Sequence, residues 1–151
     1  MGGIIKGESY QIGNRATFTK TISESDVYMF AGITGDFNPA HIDKVEAEKG
    51  VFKERVAHGI LVSGLISTVI GMKMPGPGTI YMEQDTKFLK PVKIGDTVTA
   101  VVDIAEMINE EKGIWKLKTE AYNQNHEKVI TGYAVVKVNT EEKHYKERVS
   151  I

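Results

Sequence analysis

The chain has 151 residues, a length that suits one domain with a sizeable core. Hydrophobic residues make 41% and charged residues 26%, ordinary globular usage that excludes wholesale disorder. With 19 Lys+Arg against 20 Asp+Glu there is none of the basic excess of a nucleic-acid binder, and 0 Cys excludes a disulfide scaffold, a thiolate metal site and a cysteine nucleophile.

Met1 to Lys6 lacks the long apolar run of a signal peptide and the Ser or Thr of a myristoylation signal. The most apolar run, Ile60 to Met74, is broken by Ser63, Ser67, Thr68 and Lys73 and is too short for a comfortable membrane span. The expectation is a soluble, cytoplasmic protein of one domain over residues 1–151, with a charged tail (139–151) whose structure the pattern does not reveal.

Arg15 to Ile22 alternates weakly, as a strand would. Ser23-Glu24-Ser25-Asp26 has the form of a capping box and opens a short helix that Gly35 should end. Pro39 disfavours helical backbone at Asn38, so Asp36 to Pro39 reads as a turn. Asp43 is placed to cap a second small helix that stops at Gly50. Gly59 to Met72 (GILVSGLISTVIGM) is apolar on nearly every face, which predicts a helix wrapped by other structure. Its small residues Ser63, Gly64, Ser67 and Gly71 would let strands approach closely.

After the stop at Pro75-Gly76-Pro77-Gly78, the chain reads as strands over Thr79–Leu89, Thr97–Ile108, Ile114–Asn123 and Lys128–Val138. The last three, joined by short turns, form an antiparallel meander, with Trp115 in the core or at an interface. The fold class is α+β: an antiparallel sheet curled around one long buried helix, with an open edge that a dimer would close.

The densest polar cluster is Gly35-Asp36-Phe37-Asn38-Pro39-Ala40-His41-Ile42-Asp43. A carboxylate is ionised at neutral pH and an imidazole is poised to gain or lose a proton, the pair a reaction needs when water must lose a proton and a carbon must gain one. Asn38 is placed to orient either group, or merely to make the turn. Downstream, His58-Gly59 opens the apolar helix, where first-turn N–H groups lack intrahelical partners and the dipole favours negative charge. Gly59 would let a carbonyl approach such an N–H, and is equally suited to close helix–sheet packing. His58 reads as a hydrogen-bonding histidine rather than a second base, and Ser67 as either a packing or a site residue. His41 and Asp43 with His58 are too few for a convincing metal site, so none is expected. Lys87, Lys90 and Lys93 suit a solvated rim or phosphate contacts.

These residues resemble the MaoC-like dehydratase family, the (R)-specific enoyl-CoA hydratases of the hot-dog fold. The motif runs from Phe30 through Gly35-Asp36-Phe37-Asn38-Pro39-Ala40-His41, with Ala47 beyond it. The resemblance continues through His58-Gly59, Pro75 to Gly78, Phe88, Pro91-Val92 and Gly95-Asp96. One departure is Ala40, where the family usually has a bulky aliphatic residue.

The resemblance implies that Asp36 and His41 hold a water against the double bond of a trans-2-enoyl-CoA. It implies that the Gly59 N–H holds the thioester oxygen, that Asn38 positions the pair and that Ser67 lines the site. The product would be an (R)-3-hydroxyacyl-CoA. It further implies a homodimer with the site near the interface, and no metal or organic cofactor beyond the coenzyme A of the substrate. Rival readings are a dehydratase acting on a carrier-protein thioester, a hot-dog thioesterase, and a non-catalytic acyl-CoA-binding module.

Overall fold

Ser23 starts the first helix by a reciprocal exchange. Its hydroxyl accepts from the Asp26 N–H at 3.1 Å, and the Asp26 carboxylate accepts from the Ser23 N–H at 2.9 Å. That backbone N–H, helped by Lys20 against the opposing push of burial, holds the Asp26 carboxyl below the usual carboxylate range. The helix, α1 (Glu24–Thr34), ends where Gly35 turns left-handed at φ 82°. The computed structural model to which these elements belong describes residues 10–138, and the charged tail lies outside them.

The turn expected over Asp36 to Pro39 leads at Pro39 directly into one helical turn, α2 (Pro39–Ile42). Asn38 caps it, its side chain accepting from the Ala40 N–H at 3.1 Å, and Pro39 occupies the first position, where a missing N–H costs nothing. Pro39 both bars the continuation of α1 and starts α2. Asp43 then caps α3 (Lys44–Lys49) by accepting from the Glu46 N–H at 3.1 Å.

Five strands form one antiparallel sheet: β1 (Arg15–Thr21), β2 (Ile80–Phe88), β3 (Thr97–Asn109), β4 (Ile114–Tyr122) and β5 (Lys128–Lys137), in the order β1-β3-β4-β5-β2. The meander β3-β4-β5 is as expected, whereas β1 joins β3 and β2 joins β5 through contacts far apart in sequence. Alternation sends Val98, Ala100, Val102 and Ile104 of β3 and Trp115, Leu117, Thr119 and Ala121 of β4 to the buried inner face. Gly132, buried on β5, is there for room: a Cβ on it would fall 1.8 Å from the Asp85 carbonyl oxygen of β2.

Against the inner face lies α4 (Gly59–Thr68), continued by a π-helical turn at Val69–Lys73. Val62, Ile66, Val69 and Ile70 are fully buried there. The helix is not wrapped on all sides in a single chain, because one sheet covers one side of a cylinder. Its other side is open at Ile60 (63% exposed) and Met72 (60% exposed). Gly64 and Gly71 meet nothing within 4 Å, so they admit no close strand here. Among the described residues, no helix is long and apolar enough to cross a membrane.

Candidate active site

Asp36 sits just past the glycine that ends α1, and its carboxylate accepts from the Asn38 N–H at 3.2 Å. The Asn38 carboxamide meanwhile caps the turn that carries His41. One asparagine thus ties both members of the acid–imidazole pair, through its backbone to one and through its side chain to the other.

His41 Nδ1 lies 2.7 Å from the Val56 carbonyl oxygen. A carbonyl only accepts, so Nδ1 carries the proton and Nε2 keeps a lone pair. The Val56 segment is itself fixed: its N–H donates to the Ala40 carbonyl at 3.1 Å, and Ala57 N–H donates to the Val92 carbonyl at 2.7 Å. Arg55 anchors the same segment to α1, 2.8 Å from the Glu24 carboxylate and 2.7 Å from the Tyr28 hydroxyl. Hydrogen bonds from Tyr28 and then Arg55 hold the Glu24 carboxyl below the usual carboxylate range.

His58, only 2% exposed, donates Nε2–H to the Asp36 backbone carbonyl at 2.9 Å. Its ring lies 3.9 Å from that of His41, centroid to centroid, and 4.7 Å from that of Phe30. The expected hydrogen-bonding histidine is therefore also the clasp between Asp36 and His41, since it bonds the backbone of one and stacks on the other. Its Nδ1 is buried and has no partner among the described residues.

One ligand atom each from Asp36, His41 and His58 lie within 4.8 Å of one another. A water that makes two hydrogen bonds of ~2.8 Å at the tetrahedral angle spans about 4.6 Å between its partners. A separation of at most 4.8 Å leaves the pair close enough to share one water. The same three side chains offer ligand atoms close enough to surround a small divalent ion.

A cavity of about 430 Å³ opens beside the pair. His41 and Gly59, the first residue of α4, are both in its wall. Apart from Lys90 the remainder is apolar, with the partly exposed Phe52, Ile60, Phe88 and Leu89 and with Val129 and Ile130 contributed by β5. Asp36 is exposed and not part of the wall.

Ser67 does not reach the cavity; it lies on the open side of α4, seven residues and two turns beyond the exposed Ile60. Lys90 borders the cavity while paired with Glu127, and Lys93 stands 3.4 Å from Glu54, so these two lysines of the expected rim are already ion-paired. The wall residues of β5 carried no sequence signal as site residues, because only the pairing of β2 with β5 brings them to His41.

The family model described as MaoC like domain matches residues 8–129. An (R)-specific enoyl-CoA hydratase of Rhodospirillum rubrum is 51% identical over 105 residues, covering 70% of this chain and 73% of that one. A 3-hydroxybutyryl-CoA dehydratase of Methylorubrum extorquens is 42% identical over 135 residues, covering 89% and 85%. Among solved structures, an (R)-hydratase from Aeromonas caviae involved in PHA biosynthesis superposes with a TM-score of 0.84 at 36% identity, over 87% of this chain and 99% of that one. The chain belongs to the MaoC-like dehydratase family, and its sheet with α4 packed on one face is that family's hot-dog fold.

Proposed function

We infer that this protein is an (R)-specific enoyl-CoA hydratase, a hydro-lyase that adds water across the double bond of a trans-2-enoyl-CoA and, in reverse, dehydrates an (R)-3-hydroxyacyl-CoA. The observation that carries the reading is the spacing of Asp36 and His41, with ligand atoms within 4.8 Å, beside a cavity that Gly59 also lines. Relatives that are named for this activity at 36–51% identity support it.

In the hydration direction, the water donates one hydrogen bond to the Asp36 carboxylate and the other to His41 Nε2. As its oxygen bonds C3, an O–H bond breaks and the proton passes to Nε2. The π electrons of the double bond move toward the thioester oxygen, whose growing negative charge the Gly59 N–H receives. C2 then takes the proton from Nε2 as the carbonyl reforms, which returns the imidazole to its starting state. A single well-placed donor of the Gly59 kind is worth ~3–4 kcal/mol of transition-state stabilisation, and an acid–base group ~10²–10⁴-fold in rate. Asn38 and His58 act as positioning residues.

These groups supply every proton transfer and the stabilising donor, so the reaction needs no metal. Dialysis against EDTA is expected to leave kcat unchanged; a loss restored by a divalent ion would assign the three-donor cluster to metal instead.

We further read the enzyme as a homodimer. Among the described residues β2 is an edge strand, exposed along nearly its whole length, with Ile80 57% and Met82 50% exposed, and the open side of α4 is apolar too. Sedimentation equilibrium should give twice the chain mass.

The activity is tested with crotonyl-CoA by following the loss of enoyl-thioester absorbance and determining the configuration at C3 of the product. The (R) product is expected, with slower turnover of the same acyl group on a carrier protein. An (S) product, or no turnover of short and medium chains by folded protein, would overturn the reading.

A further inference from the structure

Gly59 is crowded on one side by an aromatic ring. A Cβ built on it would sit 2.7 Å from Cε1 and 2.8 Å from Cδ1 of Phe88, contacts no real side chain makes. A Cβ lies about 2.5 Å from its own backbone nitrogen, so the ring edge is within about 5 Å of the Gly59 nitrogen. Phe88 is the last residue of β2, and the hydrogen bond from Leu89 N–H to the Val129 carbonyl at 2.9 Å holds that strand end in place. The residue is 50% exposed and lines the cavity together with His41. A half-exposed phenylalanine at a cavity mouth is not there to fill the core.

We propose that Phe88 is a specificity-determining residue: its ring is the wall of the slot in which the thioester lies against the Gly59 amide, and it excludes enoyl thioesters that carry a substituent at C2. The inference rests on the hydratase reading above. If the carbonyl oxygen is bonded to the Gly59 N–H, then C1 is one bond from that oxygen and C2 is two. A branch on C2 therefore falls within the same few ångströms that the ring edge occupies. An unbranched chain passes as a flat, narrow conjugated unit and leaves the ring undisturbed. The ring also shields the donor from water, which strengthens its bond to a developing oxyanion.

The same contact explains why position 59 is glycine in a way the N–H alone does not. Alanine keeps the N–H and adds only the methyl that meets Phe88.

The test compares kcat/KM for crotonyl-CoA with that for (E)-2-methylcrotonyl-CoA in the wild type, Phe88→Leu and Phe88→Ala. The ratio of the two is independent of the fraction of enzyme that is folded, so partial misfolding of either variant does not disturb it. The wild type is expected to favour the unbranched substrate strongly. The preference should fall at least tenfold in Phe88→Ala and by an intermediate factor in Phe88→Leu. A ratio that stays within threefold of wild type in both variants would overturn the proposal. Gly59→Ala should lose crotonyl-CoA activity and the double variant Gly59→Ala/Phe88→Leu should regain it; a double variant no better than Gly59→Ala, with Phe88→Leu itself active, also counts against it. Failure of the wild type to hydrate crotonyl-CoA at all would instead remove the hydratase reading on which the proposal stands.

Discussion

At His41, one backbone carbonyl decides which ring nitrogen is left with a free lone pair. Because Nδ1 donates to Val56, the lone pair on Nε2 is the one available to water. His41→Gln, which keeps a polar side chain without a titrating nitrogen, should lower kcat by ~10²–10⁴-fold, and Asp36→Asn should do the same, both with an unchanged circular dichroism spectrum. His58→Phe keeps the stacking but removes the bond to the Asp36 carbonyl; it should reduce kcat by less than either, with little change in KM. The grouping of Asp36, Asn38 and His41, and the place of Gly59 at a helix start, were legible in the sequence because they fall in one short motif and at the head of one apolar run. The clasp made by His58 was half legible, since nothing in the spacing says that its ring would lie 3.9 Å from that of His41. Phe52, Val129 and Ile130 were not legible as site residues, because cavity walls assembled across a sheet leave no local pattern.

The elements that build the site are held by short-range devices that can be tested singly. Ser23→Ala removes the side-chain half of the capping box and should cost about 1 kcal/mol in urea unfolding. Gly132→Ala is of another order: the added methyl meets the Asp85 carbonyl at 1.8 Å, so β2 must part from β5. A loss above ~4 kcal/mol, or failure to fold, is expected, and a stability within 1 kcal/mol of wild type would contradict the β2–β5 register. Alternation and turn residues made β3, β4 and β5 readable. The turn α2 is not readable from the pattern because proline signals both the end of one helix and the first position of another, and only the Asn38 cap separates the two. The side of the helix that Ser67 occupies is not readable from the sequence for a related reason. An all-apolar helix shows no moment from which to read its buried side, and the sheet happens to leave Ser67 on the open side.

Across the whole molecule, the outer face of the sheet holds one buried charge cluster. Glu120 of β4, 3% exposed, is paired with Lys118 at 3.2 Å and with Lys128. Burial pushes its carboxyl up, but hydrogen bonds and charge from the two lysines outweigh that and hold it below the usual carboxylate range. A folded-state value below the unfolded one contributes stability that is complete above the unfolded value of about 4.3 and is lost as pH falls through the folded value. Urea midpoints should therefore drop below pH ~4 in the wild type, and Glu120→Gln should flatten that part of the curve. The class of the fold was readable because one apolar helix followed by alternating strands has few packing solutions. The strand order was not, since β1 and β2 find their places through partners 76 or more and 42 or more residues away, respectively.

The central claim is that Asp36 and His41 act as one unit on a single water. Its most direct measurement is kcat/KM for crotonyl-CoA hydration in Asp36→Asn, His41→Gln and the double variant. Groups that act as a unit lose their effect together, so the double variant should fall within about threefold of the slower single variant. A double variant whose loss equals the product of the two single losses would show the carboxylate and the imidazole working independently, and would contradict the account.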